Sequence, residues 1–83
     1  MGINSLLDRI SIDPAVCHGK PYIKGHRIRV TLVLDFLAAG TTIEELLTEY
    51  PDLQREDILA CIAYGAETSR NRFVDLEELA NVV

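Results

Sequence analysis

Fourteen consecutive residues, Cys17-His18-Gly19-Lys20-Pro21-Tyr22-Ile23-Lys24-Gly25-His26-Arg27-Ile28-Arg29-Val30, hold both histidines, one of the two cysteines and four of the eight Lys/Arg side chains. No Asp or Glu occurs from Pro14 to Leu34. Metal ligation, nucleophilic catalysis and anion binding are the chemistries such a set can serve. Zinc sites use short, regular ligand spacings, and no pair among Cys17, His18, His26 and Cys61 has them. A Cys17 nucleophile with a histidine base has no group in the sequence to orient it or to form an oxyanion hole. Gly19-Lys20 lacks the upstream glycine and the following Ser/Thr of a phosphate loop. Anion binding remains, beside the plainer alternative of a solvated loop, and four cations without an intervening acid in an acidic protein favour it. In an extended chain Arg27 and Arg29 share one face and Ile28 and Val30 the other, with the two arginines about 6.5–7 Å apart. Lys20, Lys24, Arg27 and Arg29 are therefore the expected DNA- or anion-binding residues, and Gly19 and Gly25 are expected to serve turns. No catalytic residue, metal or cofactor is expected, and the chain is not expected to be an enzyme.

The rest of the sequence is acidic. Residues 35–69 carry Asp35, Glu44, Glu45, Glu49, Asp52, Glu56, Asp57 and Glu67 against Arg55 alone, within a total of -5. That balance argues against strong non-specific binding to nucleic acid, which phosphate neutralisation drives. A basic segment still acts locally within about 8–10 Å, and the acidic half suits a basic protein partner. A chain of 83 residues buries only about 60–65% of its unfolded surface, so homodimerisation would be a natural source of extra stability. With 48% hydrophobic residues it is globular. The longest apolar run, Val30 to Gly40, is broken by Asp35 and falls short of the roughly 20 residues of a membrane span. The first residues have no basic start or long apolar stretch, so no secretory signal is expected. Two cysteines far apart make no disulfide framework, and a reduced cytoplasm is the expected location.

The elements that must position the basic stretch follow from periodicity. Arg9–Asp13 alternates as a short strand that Pro14 ends. Tyr22–Ile23 and Arg27–Val30 are expected to be extended. Thr31 is expected to cap a helix over Leu32–Ala39 that stops at Gly40 and, with Asp35 its single charge, to be buried nearly all round as the central core element. Thr42-Ile43-Glu44-Glu45 is a capping box, followed by the apolar stripe Ile43, Leu46, Leu47 and Tyr50 and closed by Pro51. Leu53 is placed to staple onto Ile58 at the start of a third helix, Arg55–Glu67, whose buried side is Ile58, Leu59, Ile62, Ala63 and Ala66. Gln54 is a weak cap there, a loss of about 0.5–1 kcal/mol. Cys61 falls among apolar positions and is expected to be buried.

This layout predicts a single, mainly α domain: an extended arm with short N-terminal β-strands over residues 9–30, a three-helix helix-turn-helix bundle over 31–67, and a C-terminal segment over 68–83. Gln54 and Arg55, at the start of the third helix, are candidate base contacts, although Glu56 and Asp57 beside them repel phosphates. In the C-terminal segment a helix from Asp75, a strand at Arg72–Val74 and a tail ordered by a partner stay open.

Cys17-His18-Gly19-Lys20-Pro21 and Ile23-Lys24-Gly25-His26-Arg27-Ile28-Arg29-Val30, with Ala38-Ala39-Gly40, Tyr50-Pro51-Asp52-Leu53 and Glu56-Asp57-Ile58, resemble in order the bacterial domain-of-unknown-function family four-three-three. The match covers about residues 9–67. This chain departs from the family pattern at His26, where threonine is usual, and at Gln54, where a Thr cap is usual. The resemblance implies a homeodomain-like fold and a VapB-like antitoxin whose partner is a PIN-type ribonuclease toxin. Under it, Arg70, Arg72 and Phe73 become candidates for contacting the toxin, and promoter DNA becomes a second ligand. The alternative expectation is a helix-turn-helix DNA-binding regulator without a toxin.

Overall fold

The structure, a computed structural model, describes residues 3–71. Arg72, Phe73 and the possible helix from Asp75 lie outside the described residues. In chain order the elements are α1 (Ile3–Leu7), β1 (Ile10–Ser11), β2 (Tyr22–Ile23), α2 (Val30–Ala38), α3 (Ile43–Glu49) and α4 (Arg55–Asn71). The protein is thus mainly helical, with four helices and one small antiparallel sheet among the described residues.

Helix α4 is the axis of the domain. Its 17 residues span about 25 Å, and α1, α2, α3 and β1 all pack on it. Ile58, Ala60, Cys61 and Ala63 are buried on it, and Ile58 and Cys61 form one core cluster with Ile23, Val30, Val33, Leu46 and Leu53. Contact with α1 and β1 as well as α2 and α3 turns its buried face toward Asp57, Ala60 and Cys61. Ile62, expected inside, is left 42% exposed, and Leu59 and Ala66 are half-buried. Gly65 lies in the middle of the helix because Leu34 of α2 presses on it: an added Cβ would come within 3.2 Å of Leu34 Cδ1. The helix also runs four residues beyond Glu67. Thr68 Oγ1 donates to the Tyr64 carbonyl at 2.9 Å, and Arg70 pairs with Glu67 at 2.8 Å.

Helix α2 corrects two expectations. It begins at Val30, so Arg29 rather than Thr31 occupies the N-cap, and no side chain caps it. It is not buried all round: Val33 and Val30 are inside, Leu34 and Leu37 pack partly against the core, and Leu32 and Phe36 remain 39% and 38% exposed. A single face toward α4 is all the neighbouring elements cover. The central core element is α4. Helix α3 follows its sequence: Glu45 N–H donates to Thr42 Oγ1 at 3.1 Å, and Thr42 N–H donates back to Glu45 Oε1 at 3.1 Å.

The expected strand at Arg9–Asp13 is reduced to β1, which pairs with β2 in the register Ile10↔Ile23 and Ser11↔Tyr22. Arg27–Val30 is not a strand. It holds one bridge, Tyr22↔Arg29, because the chain turns into α2 at Val30.

Arg9, just before β1, ties this arm to α4. Its Nη1 donates to Asp57 Oδ1 at 3.0 Å and to Gln54 Oε1 at 3.3 Å. Asp57 Oδ2 accepts from the Gln54 backbone N–H at 2.8 Å. Asp57, at the third position of the helix, thereby supplies the reach-back half of a capping box, accepting from the N-cap N–H, and it offsets the weak Gln54 cap. The Asp57 side chain is only 9% exposed and that of Arg9 33%. Removing one partner of so enclosed a pair leaves a charge without compensation. Asp57→Ala should cost about 3 kcal/mol and Arg9→Ala about 1–2 kcal/mol. In urea unfolding the double variant should lose about 1 kcal/mol less than the sum, and strict additivity would show that the two residues are not coupled.

Candidate interaction surface

The arm is shaped by backbone before any side chain acts. Cys17, His18 and Gly19 have φ of +50°, +55° and +79°. The result is a left-handed turn closed by Gly19 N–H to the Val16 carbonyl and Lys20 N–H to the Cys17 carbonyl, both at 3.0 Å. Two residues with side chains in that region cost about 1–2 kcal/mol each. The loop before it is held down by Asp13, whose carbonyl accepts from Val16 N–H and whose Oδ1 accepts from Ala15 N–H, each at 2.9 Å. Strain of this kind persists only where the surroundings fix it. The turn sends Lys20 and Pro21 into β2.

A second reversal follows at once. His26 N–H donates to the Ile23 carbonyl at 3.0 Å across Lys24-Gly25, with Gly25 at φ +81°, as the third position of a type II turn requires. Ile23 N–H then donates to the Ile28 carbonyl and Val30 N–H to the Pro21 carbonyl, both at 3.0 Å. These bonds lock residues 20–30 onto the domain, with Ile23 wholly buried beneath them.

Above that lock Lys20, Lys24, Arg27 and Arg29 are all exposed, while Ile28 is half-buried and Val30 buried. The alternation read from the sequence therefore holds, although the segment is not a strand. Among the described residues no carboxylate pairs with any of the four cations. Arg29 stands at the uncapped start of α2, where the helix dipole adds to the positive potential. The arrangement suits an anionic partner: four cations on two fixed turns, with no internal acid to displace.

Gln54 and Arg55 are exposed at the start of α4 but engaged within the chain. Gln54 accepts from Arg9, and Arg55 Nη1 pairs with Glu44 Oε1 at 3.1 Å. The Glu44 carboxyl is held below its usual range, first by its own backbone N–H at the start of α3 and then by the Arg55 guanidinium. Arg70 is exposed and paired with Glu67. The structure does not bring Arg55 and Arg70 to the basic arm as free charges.

The remaining chemistry-bearing residues do not converge. Cys17 is half-buried and Cys61 fully buried. His18 is exposed, His26 half-buried, and among the described residues no three His, Cys, Asp or Glu side chains gather as a metal site. No described helix is long and apolar enough to cross a membrane. The residue that sequence reasoning missed is Arg9. Its only signal is a basic residue beside the strand Ile10–Ser11, and its partner lies 48 positions away.

Fold and surface together define a small helical domain that presents a short, rigid, basic arm. Residues 10–65, about two-thirds of the chain, match the family described as "Protein of unknown function (DUF433)", and the chain belongs to that family. A DUF433 member protein from Anabaena variabilis ATCC 29413, known from a crystal structure at 2.00 Å resolution, is similar to it with a TM-score of 0.72 and 32% identity, over 83% of this chain and 68% of that one. No curated protein matches the chain significantly.

Cys61 supplies a test of the packing beneath the arm. Burial, and secondarily the Asp57 charge, pushes its thiol from 9.0 up to about 12. Between those values the folded protein keeps a proton that the unfolded chain releases. The stabilisation is complete below about pH 9 and falls as pH rises toward 12, by at most about 1.4 kcal/mol per pH unit. Urea unfolding of the wild type and Cys61→Ala at about pH 8 and about pH 10 should show their difference shrinking by about 1 kcal/mol. A constant difference would mean that the thiol ionises freely in the folded state.

Proposed function

We propose that this chain is a non-enzymatic binding protein, the antitoxin of a type II toxin–antitoxin pair, which neutralises a PIN-like ribonuclease through its basic arm. The carrying observation is the arm itself: Lys20, Lys24, Arg27 and Arg29 stand exposed and without described acidic partners in a protein of net charge -5. Opposite potential favours docking onto a nuclease whose metal-binding centre is lined by carboxylates. Arg70 in the last turn of α4, with Arg72 and Phe73 that follow it in the sequence, is the second part of that contact, a short basic and aromatic stretch suited to an acidic partner.

Autoregulation through promoter DNA is part of this proposal. The order α2, α3, a five-residue connection and α4 is what supports reading the bundle as a homeodomain-like helix-turn-helix. In it Gln54 and Arg55 occupy the start of the reading helix, and this is also what favours the second reading, a DNA-binding regulator without a toxin. Both residues have internal partners to give up, so phosphate contact by the arm comes before base reading by α4.

Co-expression with the product of the adjacent open reading frame separates the two readings. The antitoxin reading expects a complex that survives purification and suppresses ribonuclease activity, with affinity lowered about tenfold by Lys24→Ala plus Arg27→Ala. Absence of any complex, together with a gel shift on the chain's own upstream DNA, would favour the regulator. In that case the same double variant should reduce the salt slope of binding by about 2. An unchanged affinity and slope would remove the arm from the proposal.

A further inference from the structure

The outer face of α2 is apolar and exposed, and no described element covers it. Leu32, Phe36 and Ala39 follow at i, i+4 and i+7 from the body of the helix to its C-cap, and all three are exposed. Asp35, the one charged residue of α2, lies one position before Phe36. Phe36 also walls a depression of about 210 Å³ together with Thr41, Glu45, Leu46, Glu49 and Tyr50. A lone exposed leucine or phenylalanine is ordinary on a protein surface, but neighbouring ones that open into a depression are a docking face.

The two ends of this face carry opposite charge. Arg29, exposed and without a described acidic partner, stands at the N-cap of α2. Glu45 and Glu49 line the depression reached from the other end through Phe36 and Thr41. Glu45 already serves the Thr42 cap, which leaves exposed Glu49 as the freer carboxylate. A face that is apolar in the middle, positive at one end and negative at the other is complementary to itself when reversed.

We propose that this face is the contact between two copies of the chain, with their α2 helices antiparallel about a twofold axis that crosses the outer face between Leu32 and Phe36, at the height of Leu34 along the helix. Leu32 and Phe36 lie two positions either side of Leu34, so each Leu32 meets the Phe36 of the second copy. Arg29 and Ala39 lie five positions either side, which carries each Arg29 to the end of the other α2, beside its Glu49. An isologous contact demands this reciprocity, in which residue i meets j and j meets i. The antiparallel helix dipoles and the two Arg29–Glu49 pairs act in the same direction. The inference does not depend on what the rest of the arm binds, since Lys20, Lys24 and Arg27 take no part in it. The contact is small beside a permanent interface, so the dimer should form reversibly with concentration.

Sedimentation velocity on the full chain, from low micromolar to near-millimolar concentration, tests this directly. The wild type should pass from monomer to dimer. Phe36→Glu should remain monomeric, and Arg29→Glu and Glu49→Arg should each weaken the dimer about tenfold. Arg29→Glu combined with Glu49→Arg should restore it, because each copy then offers the reversed pair. The charge variants alter exposed side chains, so they carry the test even if Phe36→Glu fails to fold. A wild type that stays monomeric, as it would with the chain's own C-terminal segment or another protein on this face, overturns the proposal. So does a double swap no better than the single variants, or growth beyond the dimer.

Discussion

The Arg9–Asp57 pair is the constraint on which the rest of the structure depends. The two residues are 48 positions apart, and the bond between them decides where the N-terminal arm lies on α4. Asp57 has two tasks at once. One oxygen serves the Gln54 N–H at the helix start, and the other holds Arg9. Helix initiation and arm placement are thus one event, because the carboxylate that caps α4 also anchors β1. With β1 fixed, the register Ile10↔Ile23 fixes β2, and β2 fixes the two turns that display the cations.

That chain of dependence places a basic surface, with no ion pair among the described residues, on an acidic protein. Three carboxylates of the acidic half are engaged by other cations: Asp57 by Arg9, Glu44 by Arg55 and Glu67 by Arg70. Each of these pairs stays within or between α3, α4 and the base of the arm. The charges on the two turns face solvent, held by backbone hydrogen bonds and the buried Ile23. A loop that had to order on binding would lose conformational entropy at that moment, whereas this arm is ordered beforehand. The strained turn at Cys17–Gly19 is consistent with that, since left-handed backbone at two non-glycine residues has to be offset by the loop that encloses it.

Much of this was legible in the sequence, for identifiable reasons. The Thr42–Glu45 capping box, the glycine turn at Gly25, the burial of Cys61 and the exposure of Arg27 and Arg29 depend on neighbours a few positions apart, and local chemistry decides them. The start of α2 was misplaced because Arg29 fills the N-cap without capping, so Thr31 looked like the better signal. Hydrophobicity alone made α2 look like the core, but an apolar residue is inside only where another element covers it, and Leu32 and Phe36 have none among the described elements. Helix α1 is a single turn and a half, too short for periodicity to announce. The role of Arg9 was invisible because it is a contact at long sequence separation, carried by one basic residue with no repeating pattern.

The central claim is that the prearranged cations of residues 20–29, rather than the start of α4, make first contact with an anionic partner. Chemical-shift mapping of the isotope-labelled chain, titrated at low salt with a short DNA duplex and separately with polyglutamate, tests it most directly. The account predicts that backbone amides from Lys20 to Arg29 shift with both probes while those of Gln54 and Arg55 move little. Shifts centred on Gln54 to Asp57, with the arm unmoved, would contradict it.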